Sequence, residues 1–268
     1  MKPLAGSALL LALALALASG GAAAATGTVT HLSGTLSVKR ADGTARLLSQ
    51  KSRIESGDTI TTERDSFAQI EFADGARLTL KPNTSVTIER FSYAEEKPQA
   101  DEFQYRLLRG GLRAVAGVIG ERSAARYELH TAGGTVGMRG ASGACDAGPA
   151  RCAGPDGTVR VGPADAEAIR RAATVVVEDC MSTRGGDCSR RDAAVFVAVA
   201  DGDAVLRIAQ AELGLSAGQA GVLAQGQRPL FLASDPGLQF TPPATFIQSI
   251  MTGGVVNLGR SLECVVAR

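Results

Sequence analysis

The chain has 268 residues, of which 45% are hydrophobic, 21% charged and 4% aromatic, with a formal net charge of +1. That much apolar material excludes a disordered chain and suffices for one large domain or two small ones. The near-zero charge argues against a nucleic-acid binder, which needs a basic face to displace counterions from phosphate.

The first element is an export signal. Lys2 precedes an apolar run over residues 8–18, followed by Ser19-Gly20-Gly21 and four alanines. A positive end, a short apolar core and small residues at a cleavage site make a secretory signal peptide over residues 1–25. The run is too short for the ~20 residues that cross a bilayer. The expected location is therefore periplasmic, with no membrane span after signal cleavage.

From residue 27 the chain follows a period of two. Ala68-Gln69-Ile70-Glu71-Phe72 alternates apolar and polar, Asp74-Gly75 turns, and Arg77-Leu78-Thr79-Leu80-Lys81 alternates again. Pro82-Asn83 then leads into Ser85-Val86-Thr87-Ile88-Glu89. Further short strands are expected at 35–40 before Asp42-Gly43, at 59–62 after Gly57-Asp58, at 104–108 before Gly110-Gly111, and at 127–131 before Gly133-Gly134. Asp-Gly and Gly-Asp pairs accept the positive φ angles of tight turns. The expected fold is all-β, a short-stranded sandwich, roll or solenoid-like domain.

Residues 143–193 interrupt that pattern with a Cys- and Gly-rich insertion. Residues 164–173 predict a short helix, with Pro163 where a first turn tolerates it. In an oxidising compartment Cys145–Cys152 and Cys180–Cys188 read as two local disulfides, with crossed pairings open and Cys264 left over. A zinc site is disfavoured, because C-x6-C and C-x7-C are not the tight hooks that preorganise tetrahedral ligands. The β pattern resumes over 194–243 as an extension of the same domain, and 244–268 form a tail.

The order of these motifs carries a resemblance. Residues 36–43, Ser56-Gly57-Asp58-Thr59-Ile60-Thr61-Thr62, Phe72-Ala73-Asp74-Gly75-Ala76-Arg77, the L-x-x-G-x-L element over 107–112 and the turn at Val136-Gly137-Met138-Arg139-Gly140 resemble the FecR-type periplasmic domain. Ala141 stands where that family usually carries Thr. The resemblance covers residues 27–142. It implies a β-domain that senses or signals by recognising another envelope protein, the periplasmic domain of a membrane sensor or an outer-membrane receptor. Peptidoglycan binding or a structural envelope role is the alternative. Gly57-Asp58-Thr59-Ile60 also resembles the start of a LysM glycan-binding module, but a LysM continues as a helix where this chain continues as strand and turn.

Catalysis fails on inventory. The chain has two histidines, His31 and His130, and neither sits in a pattern that holds it between a nucleophile and a carboxylate. His130 falls on the polar face of its strand beside Glu128. Gly137-Met138-Arg139-Gly140 opens no helix that would supply anion-binding amides. No catalytic residue, cofactor or metal site is expected, and Asp74, Gly75, Gly57, Asp58, Arg139 and Gly140 are read as structural turns.

Overall fold

The computed structural model describes residues 26–139 except 123, three short strands within 144–160, and residues 173–183, 188, 191–234, 236–238, 240, 242–243 and 246. The fold is all-β. Its strands are β1 (Gly27–Ser33), β2 (Leu36–Lys39), β3 (Ala45–Leu48), β4 (Arg53–Ile54), β5 (Thr59–Thr62), β6 (Phe67–Phe72), β7 (Arg77–Leu80), β8 (Ser85–Ser92) and the long β9 (Glu102–Val115). After a five-residue helix, α1 (Val118–Arg122), come β10 (Tyr127–His130) and β11 (Thr135–Arg139). A separate three-stranded meander holds β12 (Ala144–Asp146), β13 (Arg151–Gly154) and β14 (Gly157–Arg160). The last group is β15 (Thr174–Asp179), β16 (Val195–Asp201), β17 (Asp203–Ile208), β18 (Ala211–Ser216), β19 (Ala220–Leu223) and β20 (Leu230–Leu232).

Two sheets enclose one core. Sheet I runs β4-β1-β6-β7-β9-β15-β16-β19-β20, antiparallel throughout. Sheet II runs β3-β2-β5-β8-β9-β10-β11-β17-β18, with β9–β10 parallel and the rest antiparallel. Alternation puts Ala68, Ile70 and Phe72 of β6 inside and Glu71 in solvent. Five aromatic rings, Phe72, Phe91, Phe103, Tyr105 and Tyr127, pack in a chain, with Phe72 and Phe103 centroids 4.5 Å apart. Through β9 the two sheets are continuous, one open 17-stranded sheet whose halves share a core.

β9 belongs to both sheets. Its first half pairs with β8 and β10, and its second half with β7 and β15. The sequence reading stops this strand before Gly110-Gly111. In the structure the strand continues, and Gly110 is its corner at φ +83°. A Cβ at Gly110 would stand 2.6 Å from Thr84 Cα, so the close approach and the bend both require glycine. The L-x-x-G-x-L element therefore places Leu107 and Leu112 in the core on either side of a sheet-switching corner.

The helix expected over 164–173 lies outside the described residues. Backbone pairing sets Cys145 opposite Cys152, but their side chains also lie outside the described residues. Cys180 and Cys188 are joined, with an S–S distance of 2.00 Å. The chain after β20 does not simply leave the β-domain: Leu238 and Phe246 are buried, and the Phe246 ring lies 5.9 Å from that of Phe67. Among the described residues no helix is long and apolar enough to cross a membrane.

Candidate functional site

The turns that the sequence singles out form anchors. Asp74-Gly75 closes a three-residue loop in which Gly75 N–H donates to Phe72 O (3.0 Å) and Phe72 N–H to Ala76 O (2.9 Å). Gly75 has φ +81°. Asp74 does more than turn the chain. Its carboxylate accepts from the Ala76 amide (3.1 Å) and faces the Ile119 amide (3.4 Å), while its carbonyl accepts from Val118, so it seats α1 against the hairpin. Burial pushes the Asp74 carboxyl up from its ordinary range, against the lowering effect of those amides. The Asp42-Gly43 turn repeats this geometry, with Arg40 N–H to Thr44 O at 2.8 Å and Thr44 N–H to Asp42 Oδ1 at 2.8 Å.

Gly57 (φ +89°) and Asp58 form the second anchor. Asp58 is 1% exposed, and its Oδ2 accepts from Arg40 Nη1 (2.6 Å) and the Glu55 amide (2.8 Å). At the third motif, Gly137 lies under the Arg207 guanidinium, and Met138 Sδ accepts from the buried Tyr105 hydroxyl at 3.8 Å. The Arg139 side chain and Gly140 lie outside the described residues. The Asp42 turn and Asp58 line one cleft of about 520 Å³ together with Arg40, Arg46 and Glu55, and Asp74 and Met138 take no part in it.

His130 is not the solvated strand histidine that its position implies. It is half-buried in a charge ladder across the outer face of sheet II. Glu89 Oε2 lies 2.7 Å from His130 Nδ1, and Arg106 Nε donates to Glu89 Oε1 at 2.5 Å. Arg207 continues the ladder from Glu128 (3.3 Å) to Glu212 (2.8 Å). Burial works to raise the Glu89 carboxyl, but hydrogen bonds from Arg106 and His130 outweigh it and hold the group below the usual carboxylate range. The ladder holds no nucleophile. Its carboxylates and cations satisfy one another across β8, β9, β10, β17 and β18.

The strand edges are where the molecule leaves bonding capacity open. Among the described strands, β4 and β20 end sheet I, and β3 and β18 end sheet II. β4 has two residues, β3 carries Arg46, and β18 carries Glu212 and Gly214. Short length and charge are the usual protections of an edge. β20 reads Leu-Phe-Leu with no charge, and Leu230 and Phe231 are 51% and 53% exposed. Phe231 stands opposite Gly221, whose core-facing side meets Leu206 and Leu215, so Phe231 lies at the uncovered end of the core. Leu230 stands opposite Val222 on the outer face. Beside this edge a groove of about 710 Å³ lies between residues 208–212 and 226–229. The sequence reading passes over β20. The signal was present as three consecutive apolar residues after Pro229, too short for a periodicity test.

Residues 58–160 match the FecR protein family. The match spans less than half of the chain and supports a regulatory domain type. The match begins inside the anchor at Asp58, passes through the β9 corner and extends over the β12–β14 meander, which the sequence reading assigns to an insertion. Among solved structures, a cell surface anchoring domain is 28% identical, over 23% of this chain and 80% of that one, with a TM-score of 0.22. A protein described as a candidate anti-sigma factor, from Parabacteroides distasonis, appears in two structures, 11% and 12% identical with TM-scores of 0.39 and 0.38. Both cover 66% of this chain, which spans 60% of the length of that neighbour. At TM-scores this low the likenesses carry no weight for fold or function. No curated protein matches the sequence.

Proposed function

We propose that this FecR-type domain acts by binding in the periplasm, recognising another envelope protein in a sensing or signalling assembly and adding one of its strands at β20. The partner class is the periplasmic domain of a membrane sensor or outer-membrane receptor. One observation carries this reading: among the described strands β20 is an uncharged edge, with Leu230 and Phe231 in solvent. A strand laid along it gains main-chain hydrogen bonds, and its alternate side chains cover Phe231 on the core side and Leu230 on the outer side. The FecR match supports a regulatory role without naming the partner.

The test is site-specific photo-cross-linking in intact cells expressing the full chain, with the cross-linker at position 231 and, as control, at the exposed Leu47 of β3. Position 231 is expected to capture a discrete envelope protein that position 47 does not. The adduct is expected to vanish when Leu230→Lys is added. Equal capture at both positions, or labelling of peptidoglycan alone, overturns the reading and leaves the glycan-binding or structural alternative.

A further inference from the structure

The outer face of sheet I behind β20 is apolar. Phe196, Val222 and Leu230 stand in one cross-strand row, and Ala198, Ala220 and Leu232 in the next. Two chain segments cover part of this face. Cys180, Cys188 and Ala194 pack with Val176, Phe196 and Leu238 in a small buried cluster, and Val222 of β19 and Leu232 of β20 rest against it. Three residues past the disulfide, Arg191 N–H donates to Cys188 O, tying that residue to the clip. The Arg191 guanidinium lies 5.4 Å from the Phe196 ring centroid, and Nη2 donates to the carbonyls of Pro236 (2.8 Å) and Gly237 (3.0 Å). That clasp seats Leu238, 9% exposed, in the cluster. A covalent clip, a cationic clasp and an apolar plug thus stand in series behind the docking strand.

We propose that this series is a redox latch on β20. The proposal rests on the reading of β20 as the docking edge. With the disulfide closed, Arg191 is held where it reaches both the Phe196 ring and the 236–237 carbonyls, and the plug backs β19 and β20. With it open, Cys188 is no longer tied to the end of β15, and Arg191 must be ordered by its own contacts alone, at an entropic cost. The clasp then loosens, Leu238 leaves the cluster, and β20 loses its backing. The opening reagent is a protein or small-molecule dithiol. Its thiolate attacks one sulfur of the pair and displaces the other as a thiolate. Its second thiolate then attacks the mixed disulfide and releases the remaining cysteine. The dithiol supplies two electrons and two protons and ends as a disulfide, and Cys180 and Cys188 end as thiols. Both cysteines are buried, at 7% and 8% exposed.

Hydrogen exchange of the full-length protein tests the latch without any partner. Amides of 220–223 and 230–232 are expected to exchange at least about tenfold faster after dithiol treatment, while those of β6 and β7 stay unchanged. A Cys180→Ser/Cys188→Ser double variant isolates this disulfide from the other cysteines and is expected to match the reduced protein. Arg191→Met, which leaves the disulfide intact, is expected to shift the same amides in the same direction. Unchanged exchange at 230–232 in the reduced protein, or an equal rise across β6 and β7, overturns the latch. Failure of the docking reading shows separately, as absence of the cross-link at position 231 in the oxidised protein.

Discussion

At the scale of single residues, the glycines and buried acids of the turns carry backbone geometry, and their replacement has separable costs. A Cβ at Gly75 meets nothing within 4 Å, so Gly75→Val is opposed by its φ of +81° alone. The expected loss is about 1–3 kcal/mol, read by denaturant unfolding. Asp101 gives a pH signature. It is fully buried, its Oδ2 accepts from Arg122 Nε at 2.6 Å, and its Oδ1 accepts from the Ala94 amide. Burial opposes its charge, but these bonds outweigh it and hold the carboxyl below its ordinary range. A depressed folded pKa contributes stability that is present above the unfolded value of about 4 and is lost as pH falls through the folded one. Asp101→Asn is therefore expected to lower the melting temperature at pH 7, and the gap to wild type should narrow below about pH 4. A gap independent of pH would show that the Arg122 bond does not depend on the carboxylate charge. Asp74 has the opposite sign: its raised pKa favours the folded state as pH falls, so it partly masks the loss from Asp101 and Glu89.

At the scale of elements, the contrast between β3 and β20 separates exposure from function. Both are edges with exposed leucine, since Leu47 is 73% and Leu230 51% exposed. On β3 the neighbouring Arg46 guards the edge, and on β20 no charge does. Leu230→Lys is expected to change unfolding free energy by no more than about 0.5 kcal/mol, because the side chain is already largely in water. Its effect should fall on partner capture instead. A large stability loss would make Leu230 part of the core. The ladder of Glu89, Arg106, His130, Glu128, Arg207 and Glu212 shows how sheet II joins its halves. Its charges cross the parallel β9–β10 pair and pass over Gly137, where an added Cβ would stand 3.0 Å from Arg207 Nη1. Period-two alternation placed Glu128 and His130 on the polar face. It carried no information on Glu89, which arrives from β8, 41 residues away.

At the scale of the whole molecule, one strand makes the two sheets interdependent. β9 supplies the centre of both, so neither half has a complete core without it. Gly110→Val sets a Cβ 2.6 Å from Thr84 Cα at a φ of +83° and strains the corner on which both sheets turn. A loss of at least about 3 kcal/mol is expected, with one cooperative calorimetric transition in wild type and variant alike. Two resolved transitions in the variant would show that the sheets unfold separately. A second long-range tie is Lys81 Nζ to Glu178 Oε2 at 2.5 Å, which joins β15 to the chain just after β7 on either side of β9.

The all-β character, the short strands and the glycine turns were legible in the sequence because their causes are local. Alternation reports which side of a strand is buried, and Asp-Gly or Gly-Asp reports where φ becomes positive. The FecR resemblance was legible for the same reason, since it is an ordered series of such local signals. The roles of those residues were not. Asp74 reads as a turn residue, yet it seats a helix that begins 44 positions later, and Gly110-Gly111 reads as a stop where the strand turns a corner. Lys81 and Glu178 meet across 97 positions. Which edge stays open was decided only by tertiary structure: β20 is an edge because no described strand lies beyond it. A strand's own residues specify its period and faces, whereas its neighbours are set by where the rest of the chain packs.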